Sequence, residues 1–335
     1  MKNSINFILL LLILLNHPLL ASAQETQQTQ EQNPVAEAFF AASTIAFLGD
    51  SITYRGTFIT DLESTMVANG KTGPKLLNLG LPSETCSGCS EPAHPWPRPN
   101  VHERFDRVLD KLKPDLLVVN YGMNDGIYHP FDKTRFEKFK QGINTIIEAA
   151  DESDGKLKVI LVTPPTFDAL PLKAKNKLAA GDAKNFSWKR VYENYDTEVL
   201  AVYSGWVMNQ KDRVLGCIDL RTPILETLAN KRKTDPDFHF AKDGVHVDAA
   251  GHRLIAQTIA TAIGLDPAKT LSADLEKTVN SKQVVLRDSW LSEIGHKRPG
   301  VKPGIPLDKA QAAADQADKM IAENFEQSTQ EKKAK

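Results

Sequence analysis

Four short polar segments of this chain carry the side-chain types that nucleophilic catalysis requires. The first three each follow an apolar run, and the fourth precedes a segment with helical spacing. In isolation each could be an ordinary turn or helix cap, because Gly, Asp, Asn and Ser are common at both. If a single sheet brings all four segments to one edge, a functional site explains them better than four unrelated turns. The segments are Gly49-Asp50-Ser51, Asn78-Leu79-Gly80, Gly122-Met123-Asn124-Asp125 and Asp243-Gly244-Val245-His246.

A serine, a histidine and an aspartate in these segments have complementary chemistry. The hydroxyl of Ser51 is a poor nucleophile until a base accepts its proton. His246 is the candidate base, because an unperturbed imidazole titrates near neutral pH. Asp243 can reach round a tight turn to the other ring nitrogen, where it would fix the tautomer and stabilise the imidazolium. Ser51, His246 and Asp243 are therefore the candidate catalytic residues.

Hydrolysis through a tetrahedral intermediate would also need hydrogen-bond donors for its oxyanion. The N–H of Gly80 can approach closely, because this residue has no side chain in the way. The amide of Asn124 can supply a second donor. The N–H of Ser51, at the start of a helix, adds a third that benefits from the helix dipole. Asp125 is expected to brace its loop rather than to contact substrate.

The elements that must position these residues alternate between strand-like and helix-like segments. Strands alternating with helices predict βαβ units, a parallel sheet and helices on both of its faces. The apolar runs are near-continuous, as expected for strands that are covered on both faces. The loops after such strands lie at the edge of the sheet where this class of fold places its sites. The predicted strands are residues 44–48, 75–79, 115–120, 157–162 and 213–220, and the predicted helices are residues 57–69, 101–112, 132–150, 188–209, 222–231 and 248–263.

In type and in order, the four polar segments resemble the signature blocks of the SGNH (GDSL-type) esterase family. The resemblance covers about residues 44–264. It implies a three-layer α/β/α fold with a flavodoxin-like, five-stranded parallel sheet. It also implies serine ester hydrolysis with no cofactor and no metal. One departure is that the family's second block often continues with a further Gly, where residues 81–84 of this chain read Leu-Pro-Ser-Glu.

The resemblance also assigns roles to individual positions. It suggests Ser51 as the nucleophile, with His246 and Asp243 completing a triad. It suggests the N–H groups of Ser51 and Gly80 and the amide of Asn124 as the oxyanion hole.

The first residues of the chain are typical of a secretory signal peptide. Lys2 precedes an apolar run over residues 7–15, and Ala21-Ser22-Ala23 matches a cleavage site. We therefore predict a signal peptide over residues 1–23, cleaved after Ala23, and a secreted or periplasmic protein. The apolar run is too short to cross a membrane, so no stable insertion is expected after cleavage.

Composition, together with the resemblance, divides the rest of the chain into three parts. Residues 24–42 are predicted to form a disordered leader, because the Gln-, Thr- and Glu-rich start of this segment has little to bury. Residues 43–266 are predicted to form the SGNH hydrolase domain. Residues 267–335 are predicted to form a C-terminal extension with an amphipathic helix over residues 307–325.

Charge and cysteine content restrict the partners. The net charge of −1 gives no reason to expect nucleic acid as a partner. The oligomeric state is left open. Cys86 and Cys89 have C-x-x-C spacing in a loop, which is compatible with a local disulfide or with two plain thiols.

The loop after Gly80 is expected to overhang the site. Trp96 in this loop, together with Tyr128 and His129, could form a stacking wall for a sugar ring. Secreted members of the resembled family often remove acetyl groups from polysaccharides. The expected substrate is therefore an O-acetylated carbohydrate or another short-chain, small-molecule ester.

Two other functions are weighed against the esterase interpretation. A metal-dependent phosphoesterase could use Gly49-Asp50 and Asn124-Asp125 as parts of its ligand set, but its early D-x-H and late G-H-x-H are absent. A secreted carbohydrate-binding protein on an inactivated esterase fold is the alternative that is not an enzyme. It would be expected to have a broken triad, whereas this chain has every member.

Overall fold

The computed structural model describes residues 33–182 and 186–333. The predicted signal peptide and residues 24–32 of the predicted leader lie outside these ranges. None of the helices in these ranges combines the length and the hydropathy that a membrane span requires. Cys86, Cys89 and Cys217 are free thiols, so the C-x-x-C pair forms no disulfide here.

A five-stranded parallel sheet forms the centre of the fold. Its strand order is β2-β1-β3-β4-β7, which is the flavodoxin-like order. Two very short strands, β5 and β6, pair with each other outside this sheet. The strands are β1 (Thr44–Gly49), β2 (Lys75–Asn78), β3 (Leu116–Asn120), β4 (Lys158–Val162), β5 (Lys177–Leu178), β6 (Val191–Tyr192) and β7 (Gly216–Ile218).

Helices surround the sheet and complete the three-layer α/β/α fold that the sequence predicts. Short 3-10 turns lie at Val101–Glu103, Ala174–Asn176 and Ala180–Asp182, and a π-helical turn spans Tyr195–Leu200. The helices are α1 (Pro34–Ala41), α2 (Ser51–Arg55), α3 (Thr57–Ala68), α4 (Phe105–Leu112), α5 (Lys133–Asp151), α6 (Ala201–Met208), α7 (Arg221–Lys231), α8 (Ala249–Ala262), α9 (Ala273–Ile294) and α10 (Leu307–Lys333).

The central strands are buried because their residues are almost all apolar. All five residues of β3 are buried, as are the last five of β1. With no face left for water, such strands suit a parallel sheet that is covered on both sides. The strand order also reverses between β1 and β3, so the chain leaves these two neighbours in opposite directions. Folds of this class bind their ligands in the crevice at such a point.

The predicted disordered leader, residues 24–42, is wrong over its last part. Pro34–Ala41 forms helix α1, and Asn33 caps it by accepting a hydrogen bond from the N–H of Ala36. The sequence of this segment is mostly apolar, and Phe39 is completely buried in the core. Burial of this phenylalanine stabilises the helix against the core.

The helix predicted over residues 188–209 begins later than expected. Val191–Tyr192 instead forms β6, and the N–H of Tyr192 donates to the carbonyl of Tyr128. Helical structure starts only with the π-helical turn at Tyr195–Leu200 and continues as α6. Tertiary pairing thus overrides the helical spacing of the first residues.

The C-terminal extension contains two long helices rather than one. The predicted helix over residues 307–325 is confirmed within α10, and Ala310, Ala314 and Ile321 are buried as its apolar pattern requires. Helix α9 was not predicted. It lies against β2, where Gln283 donates to the carbonyl of Leu76 at 3.0 Å and so covers the open edge of the sheet.

Candidate active site

Ser51 is the first residue of α2, immediately after β1 ends. Asp50 caps this helix, because its carboxylate accepts the N–H of Ile52 at 2.9 Å. The Asp50 side chain is buried, and burial raises its pKa to about 6 although the Ile52 hydrogen bond opposes the change. This cap directs the chain from the strand into the helix and places Ser51 at the carboxyl edge of the sheet.

The structure brings Ser51, His246 and Asp243 together in one hydrogen-bonded chain. The Ser51 Oγ lies 2.8 Å from Nε2 of His246, and Nδ1 of His246 lies 2.7 Å from Oδ2 of Asp243. Burial raises the pKa of Asp243, but hydrogen bonds from the ring and the backbone N–H of His246 outweigh it and bring it to about 2. Burial lowers the pKa of His246, but the hydrogen bond to Asp243 and the charge of Asp243 have a larger effect, so the pKa of His246 is raised. The imidazole is therefore poised to accept a proton beside a carboxylate that stays ionised.

A tight turn before α8 holds Asp243 and His246 in this arrangement. The second oxygen of Asp243 accepts the N–H groups of Val245 and His246, at 3.0 and 2.8 Å. Gly244 has a φ of +79° in this turn, and a Cβ there would lie 2.5 Å from the carbonyl oxygen of Asp168. Glycine is therefore required at the centre of the turn.

Gly80 does not offer the N–H that the sequence assigned to the oxyanion hole. This N–H donates to the side-chain oxygen of Asn78 at 2.9 Å and is already occupied. The glycine has a different reason to be there, since a Cβ at this position would lie 2.2 Å from the backbone nitrogen of Tyr54 in α2. Its role is close packing of the turn after β2 against the helix that carries Ser51. In this conformation the N–H of Gly80 is therefore not available to an oxyanion.

Ser83 is the residue of this loop that the sequence interpretation missed. The N–H of Leu81 donates to Gly49 and that of Glu84 to Leu81, while Pro82 has none. Throughout the described part of the chain, the Ser83 N–H finds no partner. Ser83 also has a φ of +68°, a left-handed conformation that glycine adopts most easily. The signal was the departure at residues 81–84, where the family often has a further Gly.

The amide of Asn124 is held from both ends. Its Nδ2 donates to the carbonyl of Glu84 at 3.2 Å, and its Oδ1 accepts the hydroxyl of Tyr128 at 2.8 Å. The Glu84 carbonyl can only accept, so the amide group must face it with NH₂. The NH₂ group has two N–H donors, and the Glu84 carbonyl uses one of them, so the second N–H is free to donate to another group.

Asp125 has the bracing role that the sequence predicted. Its Oδ1 accepts the N–H groups of Cys86 and Ser87 at 3.0 and 2.9 Å, and its Oδ2 accepts that of Gly122 at 2.9 Å. The side chain is completely buried. It thereby ties the loop after β3 to the loop after β2.

A buried ion pair between Arg104 and Glu84 supports the loop after β2. Arg104 donates to both carboxylate oxygens of Glu84, at 2.7 and 2.6 Å, and to the carbonyl of Leu79 at 2.6 Å. Tyr121 adds its hydroxyl to the same carboxylate at 2.6 Å. Arg104 thereby links Leu79 to the side chain of Glu84 across the turn that contains Ser83.

The predicted stacking wall is not assembled as expected. Tyr128 is 4% exposed and its hydroxyl is engaged with Asn124, so it cannot stack on a sugar. The half-buried ring of His129 packs against Phe186 at 5.1 Å. Trp96 is half-buried, and the guanidinium of Arg298 lies 4.6 Å from its ring centroid. Of the three residues, Trp96 alone remains a candidate for substrate contact. Arg298, which lies over its ring, is a candidate with it.

The carboxylates that could suggest a metal site have other partners. Asp50 caps α2 and Asp125 accepts three backbone N–H groups, as described above. Among the residues that the structure describes, no group of three or more His, Cys, Asp or Glu side chains is arranged to hold a metal ion.

Comparisons with solved structures give matches at low sequence identity, and the TM-score of the first one supports the same fold. A gut microbial diltiazem-metabolizing enzyme is 16% identical with a TM-score of 0.52, over 66% of this chain and 47% of that one, so this chain spans about half its length. An acetyl xylan esterase, AlAXEase, is 22% identical with a TM-score of 0.49, over 65% of this chain and 98% of that one. An acetylxylan esterase from Geobacillus stearothermophilus is 19% identical with a TM-score of 0.45, over 69% and 97%. No curated protein matches this chain.

A family comparison is decisive about membership. The family described as GDSL-like lipase/acylhydrolase matches residues 47–254. This range contains all four polar segments and the hydrogen-bonded chain from Ser51 to Asp243. The protein belongs to the GDSL-like lipase/acylhydrolase family, the SGNH hydrolases, and it is a hydrolase of ester bonds.

Proposed function

We propose that this protein is a serine esterase in which Ser51 is the nucleophile, His246 the general base and Asp243 the residue that orients it. The observation that carries the proposal is the continuous chain of short hydrogen bonds, 2.8 Å from Ser51 to His246 and 2.7 Å from His246 to Asp243. A nucleophile within hydrogen-bond reach of a base, with the base oriented by a third group, is the arrangement that activates a serine.

In the acylation step the Ser51 oxygen attacks the ester carbonyl and its proton passes to Nε2 of His246. The C–O bond to the alcohol then breaks, and the alcohol leaves with that proton. In deacylation a water molecule attacks the acyl-enzyme, again with its proton passing to His246. The acid leaves, and Ser51 regains its proton.

We propose three donors for the oxyanion: the N–H groups of Ser51 and Ser83 and the free amide hydrogen of Asn124. The assignment of Ser83, in place of Gly80, is supported by the unpaired state of its N–H in the described structure. The N–H of Ser51 lies at the start of α2, where the helix dipole favours negative charge.

The proposed substrates are short-chain esters, with an O-acetylated carbohydrate favoured. The side chains of His246 and Asp243 are 46% and 57% exposed. An open site of this kind admits an acetyl group attached to a large, solvated alcohol such as a polysaccharide. Two of the structural neighbours are named acetyl xylan esterases. As part of the proposal, we extend this class of substrate, an acetylated carbohydrate, to this chain. Export of the protein, with cleavage after Ala23, is also proposed and rests on the sequence.

The experiment is a panel of p-nitrophenyl esters from acetate to palmitate, followed by acetate release from acetylated glycans. We expect activity to be highest on acetate. Ser51→Ala should fold normally and lose nearly all activity, and a fluorophosphonate should label the wild type once. Labelling that persists in Ser51→Ala would contradict the assignment of the nucleophile.

Activity in the presence of EDTA distinguishes the proposed serine esterase from a metal-dependent phosphoesterase. The proposed mechanism uses no ion, so esterase activity should persist in EDTA. Loss of activity on chelation, restored by Zn²⁺ or Mn²⁺, would favour the metal-dependent alternative.

A further inference from the structure

The C-terminal extension reaches the loop beside the proposed site. After α9 the chain continues through residues 295–306 before α10 begins, and Arg298 lies in this connection. The family match ends at residue 254, so it assigns nothing to this arginine. The side chain of Arg298 nevertheless contacts the loop beside the proposed site, at Trp96 and Pro82.

Arg298 is held in place by one ring and two carbonyls. Its guanidinium lies over the ring of Trp96, 4.6 Å from the centroid. Its Nε donates to the carbonyl of Pro82 at 3.0 Å, and its Nη1 donates to that of Pro299. A stacked guanidinium with two hydrogen bonds has a fixed plane, so the position of its remaining nitrogen, Nη2, is determined as well.

Pro82 connects this guanidinium to the proposed oxyanion hole. The next residue, Ser83, provides the unpaired N–H, and its carbonyl accepts a hydrogen bond from Arg98 at 3.4 Å. Glu84, one residue further, accepts the amide of Asn124. Arg298 therefore contacts the residue that precedes Ser83, one of the proposed oxyanion donors.

Two arginines that donate hydrogen bonds to this loop, Arg98 and Arg298, differ in their charge balance. Arg98 is buried and donates two hydrogen bonds to Glu91, at 2.7 and 2.8 Å, so its charge is neutralised. Arg298 is half-buried, and among the residues that the structure describes no carboxylate lies within salt-bridge distance of it. Its Nη2 has no acceptor there either. Burial lowers the pKa of Arg298, Tyr54 opposes this change, and the charge of Arg98 lowers the pKa further.

A partly desolvated guanidinium with a fixed plane and a free donor edge is suited to an anionic group of a ligand. We infer that Arg298 binds a carboxylate on the alcohol part of the ester, with Trp96 holding the guanidinium in position. The favoured substrate is then an O-acetylated sugar that carries a carboxylate, as a uronic acid does. This inference rests on the proposed function, because it names the alcohol that the same site would release.

The test compares two acetylated oligosaccharides that differ only in a carboxylate, one built of uronic acids and one of neutral sugars. We expect the wild type to prefer the uronic substrate, and Arg298→Gln to lose this preference through a higher KM. The ratio of kcat/KM for the two substrates should fall on the order of 10-fold, the scale of one hydrogen bond to a charged group.

Lys297→Gln is the matched control. It removes one positive charge from the neighbouring residue, whose ammonium is paired with Glu103 at 3.1 Å. The preference ratio of Lys297→Gln should stay at the wild-type value. An equal fall in both variants would mean that overall charge, rather than Arg298, causes the preference, and it would overturn the inference.

Direct binding separates this inference from the proposed catalysis. Calorimetry of the Ser51→Ala variant with a deacetylated uronic oligosaccharide should show binding that is lost when Arg298→Gln is added and partly kept with Arg298→Lys. The lysine variant retains the charge and serves as the test if the glutamine variant does not fold. Absence of binding, or binding unaffected by either change, refutes the role of Arg298 while leaving the esterase proposal intact. A wild type that hydrolyses no ester refutes the catalytic proposal, and calorimetry still decides on Arg298.

Discussion

At the scale of single residues, the amide of Asn124 is the group whose contribution is easiest to isolate. Its hydrogen bond to the oxyanion strengthens as charge develops, so its loss should reduce kcat rather than raise KM. We expect Asn124→Ala to fold stably and to lose on the order of 10²–10³ in kcat. Measurement of kcat, KM and the thermal midpoint checks this.

Asp125→Ala is the contrasting variant. It removes the acceptor of three backbone N–H groups in a fully buried position. Each buried donor left unpaired costs about 1–3 kcal/mol, so the free energy of unfolding should fall clearly. A fully active Asn124→Ala, or an Asp125→Ala that is as stable as the wild type, would contradict these roles.

Tyr128 is expected to affect the reaction through Asn124, whose side-chain oxygen accepts its hydroxyl. In the Tyr128→Phe variant the ring remains but Oδ1 of Asn124 loses the hydroxyl that orients it. We expect kcat to fall about 10-fold or less, the value of one neutral hydrogen bond, with KM unchanged. The Asn124→Ala background provides the check, because Tyr128→Phe should then have little further effect on kcat. Independent losses in the double variant would show that Tyr128 does not work through the amide.

The acid limb of the pH profile should report His246. Only the neutral imidazole can accept the proton of Ser51, and the paired Asp243 raises the pKa of His246 above its ordinary value of 6.5. Therefore kcat/KM should rise with pH through a midpoint above 6.5, and NMR titration of the ring should give the same value. Asp243→Asn removes the charge that raises this pKa, so the midpoint should move to lower pH. An unchanged midpoint would mean that the carboxylate does not control the ring.

At the scale of elements, the turn after β2 has to meet α2 and also present a donor. Gly80→Ala would place a Cβ 2.2 Å from the backbone nitrogen of Tyr54, and backbone on both sides cannot move aside. We expect this variant to be insoluble or to have a much lower thermal midpoint. Gly205→Ala is the control, because nothing lies within 4 Å of its Cβ position in α6 and alanine favours the helix.

Ser83→Gly should behave in the opposite way. The left-handed φ of +68° strains a serine but not a glycine, and the N–H is kept. The free energy of unfolding should be unchanged or should rise by at most about 1 kcal/mol, with a thermal midpoint that is equal or higher. The value of kcat should be retained. A large loss of kcat without unfolding would show that the serine side chain, rather than its N–H, is needed.

At the scale of the whole molecule, the C-terminal extension covers one edge of the sheet. Leu77 of β2 packs in a small cluster with Leu286 of α9 and Ala314 of α10. The ammonium of Lys282 in α9 pairs with Glu63 of α3. An uncovered edge strand with apolar neighbours is prone to pair with other chains. The extension is therefore part of the stable fold as well as a source of Arg298.

A chain that ends at residue 266 should accordingly be unstable or aggregate. The comparison is with the same chain ending at residue 327, which retains α9 and nearly all of α10. The soluble fraction and the thermal midpoint of the two chains decide the matter. A shorter chain that is soluble and melts at the same temperature would show that β2 needs no cover.

Much of the fold and of the site follows from local sequence alone. The near-continuous apolar runs specified the five strands of the sheet, because a strand covered on both faces has no polar side. The residues at the strand ends followed from this, since parallel strands present their carboxyl ends at one edge. Ser51 and Asn124, and the turn from Asp243 to His246, were found in this way because their partners lie next to them in sequence or at the same edge.

What the sequence could not supply was the partner of each polar group across the fold. The turn after β2 contains both Gly80 and Ser83, but only the tertiary structure decided which N–H is occupied, because the acceptor depends on how the turn packs against α2. Tyr128 was expected to form part of a stacking wall, but its hydroxyl binds Asn124 in its own loop and its ring lies against the guanidinium of Arg98 from the loop after β2. Arg298 is more than 200 residues from Trp96 and Pro82, and no local pattern encodes such a contact. Local chemistry thus determined which residues can react, and long-range packing decided which donors are free to assist them.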